Sequence, residues 1–156
     1  MPKSINPIKL CLISSRGGHL YQMYLLKKWW VKYERFWISG QGEDINYLLK
    51  KEIIYRGFFP ESRNAINAIR NFMYGFIILA REKPTLIASF GAGIAPPIFL
   101  AAKLLRIPFV FVDSISFVQY PSLSARIAAF FRGVVLVQHE HMTRVVSGAH
   151  YWGSVI

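Results

Sequence analysis

Apolar positions along this chain alternate between short dense runs and longer stripes at helical spacing. The run IKLCLIS (8–14) reads as a buried strand, and LYQMYLLKKWWVKY (20–33) then sets Leu20, Met23, Leu26 and Trp30 on one helical stripe. RFWIS (35–39) is a second strand, closed by Gly40-Gln41-Gly42, and an irregular stretch containing EIIYRGFF follows. Over 61–83 the stripe Ile66, Ile69, Met73, Phe76, Ile77 and Ala80 predicts a long helix, ended by Pro84. TLIASF (85–90), IPFVFVD (107–113) and GVVLVQ (133–138) predict further strands. APPIFLAAKLLR (95–106) and PSLSARIAAFFR (121–132) predict helices whose prolines stand in the first turn, where the missing N–H is no loss.

Strands of this kind alternating with helices predict an α/β fold, a Rossmann-like parallel sheet with helices on both faces. The pattern contains no repeat, linker or low-complexity segment, so 1–156 reads as one domain with a single core. In such sheets ligands bind beyond the carboxyl ends of the strands, at glycine-rich turns. Two turns qualify, Arg16-Gly17-Gly18-His19 and Gly91-Ala92-Gly93.

Composition narrows the class of partner. Hydrophobic residues make up 53% of the chain, yet no apolar stretch reaches the roughly 18–20 residues that span a bilayer. The start, MPKSINPIKLCLIS, lacks the form of a secretory signal, so a cytoplasmic location is expected. The lone Cys11 fits a reducing compartment and inert packing. A net charge of +11 calls for an acidic partner. Because the charge comes with high hydrophobicity and no basic run longer than two residues, an anionic membrane surface is favoured over nucleic acid. Basic and aromatic side chains interleave at Lys27, Lys28, Trp29 and Trp30, and again at Arg70 and Phe72. These six are the expected membrane contacts, the alternative being a core stripe with a solvated basic face.

The glycine turns carry the candidate chemistry. Each sits between a strand end and a helix start, where unpaired N–H groups and the helix dipole attract anions; a tight turn is the plainer alternative. The expected substrate-binding set is Ser15, Arg16, Gly17, Gly18, His19, Gly91, Ala92, Gly93 and Ser114. There is no GxxxxGK[ST] and no GxGxxG, which removes the nucleotide-triphosphate loop and the dinucleotide fingerprint. His19 can donate to a phosphate or accept a proton near neutral pH, or else only bond backbone. Asp113 is a second potential base, or a cap on the amides of its own loop. QHEHM (138–142) resembles a metal motif but fails the HExxH spacing, because Thr143 stands where the second histidine would be. No metal and no cofactor are expected.

Taken in order, SSRGGHL (14–20), KPTLIASFGAGIAPPIFLAAKLLRIPFVFVDSIS (83–116), PSLSAR, VLVQ and the terminal YWGSVI resemble the small subunit of two-part glycosyltransferases. That family includes the membrane-anchoring subunit of the N-acetylglucosaminyltransferase that adds the second sugar of the dolichol-linked oligosaccharide, and bacterial relatives in capsule and exopolysaccharide synthesis. The resemblance implies one half of a GT-B glycosyltransferase: a single acceptor-side half-domain over 1–156, peripheral on the cytoplasmic face of the membrane. A separate donor-binding subunit would bring the nucleotide sugar, and the acceptor would be a polyprenyl-diphosphate-linked sugar. Transfer would invert the anomeric centre, with loop amides and basic residues handling charge, His19 and Asp113 as catalytic groups, and the chain inactive alone. The apolar tail, with Tyr151, Trp152 and Ile156, is the expected partner interface. The family's pattern has Glu at Asp113, Arg at Phe117 and an aromatic at His139, so the DSISF loop departs from it. A non-catalytic membrane anchor for the partner is the alternative function, and a basic nucleic-acid-binding module a more distant one.

Overall fold

A computed structural model describes residues 7–156; residues 1–6, part of the start read as carrying no secretory signal, lie outside the described residues. Strands β1 (Lys9–Ser14), β2 (Glu34–Ser39), β3 (Ile54–Arg56), β4 (Leu86–Ser89), β5 (Phe109–Val112), β6 (Val134–Val137) and β7 (His150–Tyr151) form one seven-stranded sheet. Its order is β3-β2-β1-β4-β5-β6-β7 and every pairing is parallel, as the alternating pattern predicted. The connecting helices are α1 (Gly18–Leu25), α2 (Lys27–Trp30), α3 (Glu43–Leu48), α4 (Ala65–Glu82), α5 (Ala95–Leu104) and α6 (Leu123–Phe130), with a 3₁₀ turn at Glu140–Arg144.

The side-chain alternation of β1 divides the core in two. Leu10 and Leu12 pack with Leu20, Met23, Trp30, Trp37, Ile45 and Leu49 from the α1–α3 side. Cys11 and Ile13 face the other way, onto Ile78, Leu79, Ile98 and Phe99 of α4 and α5. Cys11 is fully buried, and burial pushes its thiol well above the ordinary value, which suits inert packing.

Three expectations change. The helix expected over 20–33 breaks at Leu26 into α1 and α2. There the Trp30 indole N–H donates to the Met23 carbonyl at 2.9 Å and its ring meets Trp37 edge-on, 5.4 Å between centroids. Trp30 is therefore 1% exposed and no membrane contact.

The second change is at α4. It starts at Ala65, not 61, because the Asn64 side chain caps it by accepting the Asn67 amide at 2.9 Å. The alternative reading of its stripe as a core face does not hold: Ile66, Ile69, Met73 and Ile77 are 55–65% exposed, while Asn67, Asn71 and Gly75 are buried. The asparagines are inside because they satisfy the β3–α4 connection. Asn71 accepts the Phe58 amide at 2.8 Å and donates to the Phe58 carbonyl at 3.0 Å, and Asn67 donates to the Pro60 carbonyl at 3.0 Å. Gly75 lets α5 approach, since a Cβ there would lie 3.1 Å from Ile98. Phe72 is half-buried, packed against the core on one side.

Third, the stretch read as irregular holds α3 and β3, and the chain end adds the 3₁₀ turn and β7. These elements are two to six residues long, too short to establish a period.

Candidate functional site

Strand order reverses between β1 and β4, and the crevice beyond their carboxyl ends is where open α/β sheets place ligands. A cavity of about 580 Å³ opens there. Of the residues expected from sequence, His19, Gly91, Ala92, Gly93 and Asp113 line it. Glu61 and Arg63, from the segment between β3 and α4, complete its charged groups, and Pro96, Pro97, Leu100, Leu123 and Ile127 form an apolar wall.

Ser15 joins the pieces. Its hydroxyl donates to Glu61 Oε1 at 2.5 Å and accepts the Ala92 amide at 3.2 Å, tying the loop after β1 to the loop after β4. The Gly91 amide donates to Ser89 Oγ at 2.9 Å, and Ser124 Oγ donates to the Ala92 carbonyl at 3.1 Å. Gly93 backs onto the neighbouring segment so closely that a Cβ would lie 2.8 Å from the Glu61 carbonyl oxygen. Arg63 holds a left-handed backbone, φ 55°, where the chain turns from Glu61 into α4.

The first glycine turn is only partly open. The Gly17 amide donates to Asp44 Oδ2 at 2.9 Å, and Arg16 Nε lies 3.6 Å from Asp44 Oδ1. Burial pushes the Asp44 carboxyl up, but the Gly17 and Ile45 amides and Arg16 outweigh it and hold it below the ordinary carboxylate range. Arg16 faces a separate hollow of about 310 Å³ with Gln41, Gly57, Phe58 and Phe59, so Arg16 and Gly17 leave the main cleft. Gly18 opens α1, and a Cβ there would meet nothing within 4 Å.

His19 and Asp113 differ in how free they are. His19 Nδ1 is buried without a hydrogen-bond partner. Burial lowers the His19 pKa, with the Phe90 backbone and the Asp113 charge acting the other way, so the ring is the free base at neutral pH. Asp113 has both oxygens occupied: Oδ1 accepts the Ser114 amide at 3.2 Å and Oδ2 the Ser122 amide at 3.0 Å. Burial raises its pKa against the opposing bonds from Ser122 and Ser114 and the His19 charge. Asp113 thus caps its own loop. Ser114 does not line the cleft, and its Oγ accepts Gln22 Nε2 at 3.1 Å. Gln22 Oε1 in turn accepts from Gln138 Nε2 at 2.6 Å.

The remaining sequence candidates sort by exposure. In QHEHM, His139 Nε2 lies 2.7 Å from the Ile115 carbonyl within DSISF and His141 contacts the carbonyl of Val118 just beyond it, so both rings clip the segment after β5. Among the described residues no three His, Cys, Asp or Glu side chains gather as a metal site needs. Lys27, Lys28 and Arg70 are exposed, and Trp29 is half-buried, edge-on to Tyr33. No helix among the described residues is long and apolar enough to cross a membrane. Tyr151, Trp152 and Ile156 are exposed at the sheet edge, and Val155 between the last two packs into the core.

Glu61 and Arg63 are the residues that sequence reading missed as site groups. The available signal was an acidic residue beside arginine, PESRN, just before a helix cap in a chain with 8 acids against 19 bases.

A family model described as "Oligosaccharide biosynthesis protein Alg14 like" matches residues 61–155. No curated protein matches the chain significantly. Among solved structures, MurG of Acinetobacter baumannii matches with a TM-score of 0.72 at 18% identity, over 96% of this chain and 46% of MurG. A UDP-N-acetylglucosamine 2-epimerase from Rickettsia bellii gives 0.69 at 15%, over 96% of this chain and 46% of the epimerase. MnaA of S. aureus, in a co-structure with UDP, gives 0.71 at 11%, over 95% of this chain and 44% of MnaA. The chain therefore spans less than half the length of each, and the likeness is one of fold: the N-terminal half of a GT-B protein such as MurG.

Proposed function

Since the chain belongs to the family of Alg14-like oligosaccharide biosynthesis proteins, we propose that it is the acceptor-side subunit of a two-part glycosyltransferase that extends a polyprenyl-diphosphate-linked sugar in surface polysaccharide synthesis, capsule or exopolysaccharide. The observation that carries this reading is the cleft at the β1/β4 reversal, which combines His19, Arg63, the Gly91–Gly93 loop and an apolar wall. A lipid-linked sugar diphosphate presents the matching parts: an anion, hydroxyls and a hydrocarbon tail.

In the proposed reaction Arg63 and the amides opening α1 receive the diphosphate. His19, neutral and with Nδ1 unpartnered, takes the proton of the attacking sugar hydroxyl. The hydroxyl oxygen bonds to the anomeric carbon of the donor from the opposite face, and the nucleoside diphosphate leaves with the bonding electrons. Inversion follows. A separate donor-binding chain holds the nucleotide sugar and docks on the exposed Tyr151, Trp152 and Ile156, so the chain alone is inactive.

The membrane side of the reading rests on α4. Its exposed row Ile66, Ile69, Met73 and Ile77, flanked by Arg70 and Arg81, suits the boundary of an anionic bilayer, with Lys27 and Lys28 adding charge. The protein is thereby peripheral, on the cytoplasmic face where nucleotide sugars are available.

Co-expression with a candidate donor-binding glycosyltransferase chain, assayed on polyprenyl-diphosphate-linked sugars, tests the proposal. Transfer by the pair and none by either chain alone is the expected result. A complex that forms but transfers to no such acceptor would contradict it.

A further inference from the structure

The acceptor-side reading leaves one group in the cleft without a task. Glu61 Oε1 is held by the Ser15 hydroxyl at 2.5 Å, while Oε2 is buried and has no hydrogen-bond partner. The residue lines the cavity of about 580 Å³, whose lining also holds the apolar Pro96, Pro97, Leu100 and Ile127. Buried carboxylate oxygens without a donor are uncommon, and in a cleft of mainly apolar lining the few polar groups fix a ligand's orientation.

The segment that carries Glu61 is held in place. Gly93 backs onto its carbonyl, Asn67 bonds the preceding Pro60 carbonyl at 3.0 Å, and Asn64 begins α4 three residues later. Ser15 fixes the side chain from the other direction. The carboxyl is thus fixed at the cavity lining, and only a group bearing O–H or N–H can satisfy Oε2. A phosphate cannot, since it offers acceptors and the same sign of charge; it belongs with Arg63, two residues on. The charged and titratable neighbours in the cavity are Arg63, His19 and Asp113.

We propose that Glu61 recognises the acceptor sugar, its Oε2 accepting a hydrogen bond from a hydroxyl or amide N–H of the sugar attached to the diphosphate. The inference rests on the acceptor-side reading above and adds to it the residue that distinguishes a sugar-bearing lipid diphosphate from a bare one. A site built to hydrogen-bond a substrate hydroxyl rejects a ligand lacking it far more strongly than an apolar pocket does.

The test is equilibrium binding of the full chain to farnesyl diphosphate and to its glucosyl and N-acetylglucosaminyl esters. Wild type should bind at least one sugar-bearing probe about tenfold or more tightly than bare farnesyl diphosphate. Glu61→Gln and Glu61→Ala should both reduce that preference to under about threefold by weakening the sugar-bearing probes, with the bare probe bound at least as tightly as by wild type because a like charge has been removed, and Ser15→Ala should reduce the preference part of the way. The bare probe also reports that each variant is folded. A sugar preference that survives both Glu61 substitutions, an equal loss for all probes, or no preference in wild type would overturn the inference alone. Failure of wild type to bind any probe would overturn the acceptor-side reading, and the inference with it.

Discussion

Ser15 and Glu61 are hydrogen-bonded at 2.5 Å although 46 residues separate them, and this contact brings the segment before α4 to the mouth of the first glycine turn. The carboxyl it holds is higher in pKa than an ordinary glutamate, because burial penalises the charge more than the Ser15 bond supports it.

A stability difference follows. The folded chain holds the Glu61 proton to higher pH than the unfolded chain does, so the wild type loses stability as pH rises through the raised value. Glu61→Gln removes this loss. The variant should melt about 2–4 °C higher at pH 7.5, the shift expected for ~1 kcal/mol from a half-buried unsatisfied group, and equally with wild type near pH 4. Thermal melts across that range check it; a gain that grows on acidification would have the wrong sign.

Two glycines of the site should behave oppositely. A Cβ at Gly93 would lie 2.8 Å from the Glu61 carbonyl oxygen, so Gly93→Ala should cost about 1–3 kcal/mol by displacing that segment. At Gly18 a Cβ meets nothing, and Gly18→Val should stay within about 0.5 kcal/mol of wild type while closing the approach to the loop amides. Denaturant titration of both variants decides.

The membrane account loses Trp30 and rests chiefly on the exposed row of α4. Ile69→Ser with Met73→Ser should lower binding to vesicles of anionic lipid by tenfold or more at unchanged melting temperature, since each exposed side chain contributes about 1.5–3 kcal/mol when it is buried. Trp30→Ala should instead cost about 3–5 kcal/mol of fold stability. Vesicle sedimentation at low and high salt reads the first, and equal binding by the α4 variant would refute the assigned face.

Docking at the tail should be separable from folding. Trp152 and Ile156 are 79% and 71% exposed, whereas Val155 packs in the core and its amide donates to Gln138 Oε1 at 3.1 Å. Trp152→Ser with Ile156→Ser should abolish co-purification with the donor-binding chain and leave the melting temperature unaltered. Retention of the partner by that double variant would move the interface elsewhere.

The sheet was legible in the sequence because each strand of any length is an apolar run and each long helix has a stripe or a proline start. The glycine turns after β1 and β4 were legible for the same reason, as breaks between periods. What escaped notice was set by tertiary hydrogen bonding. Asn67 and Asn71 are inside because the β3–α4 connection needs their amides, so much of the apolar stripe of α4 lies on its outer face, which the stripe alone did not decide. Trp30 looked like an interfacial aromatic until its indole found the Met23 carbonyl. Arg16 and Gly17 were drawn to Asp44, a pairing between residues 27 and 28 apart that no local pattern encodes. Glu61 lay inside a segment read as helix, and only its capture by Ser15 makes it part of the cleft.

The central claim is that this chain contributes chemistry to sugar transfer, and the most direct measurement is the rate of the reconstituted pair against acceptor concentration for wild type, His19→Ala and Gly18→Val. If His19 takes the proton, its alanine variant should lose about a hundredfold or more in kcat with KM for the acceptor little changed, and Gly18→Val should raise KM. Wild-type kinetics in both variants, with the complex intact, would contradict the claim and leave the chain a scaffold.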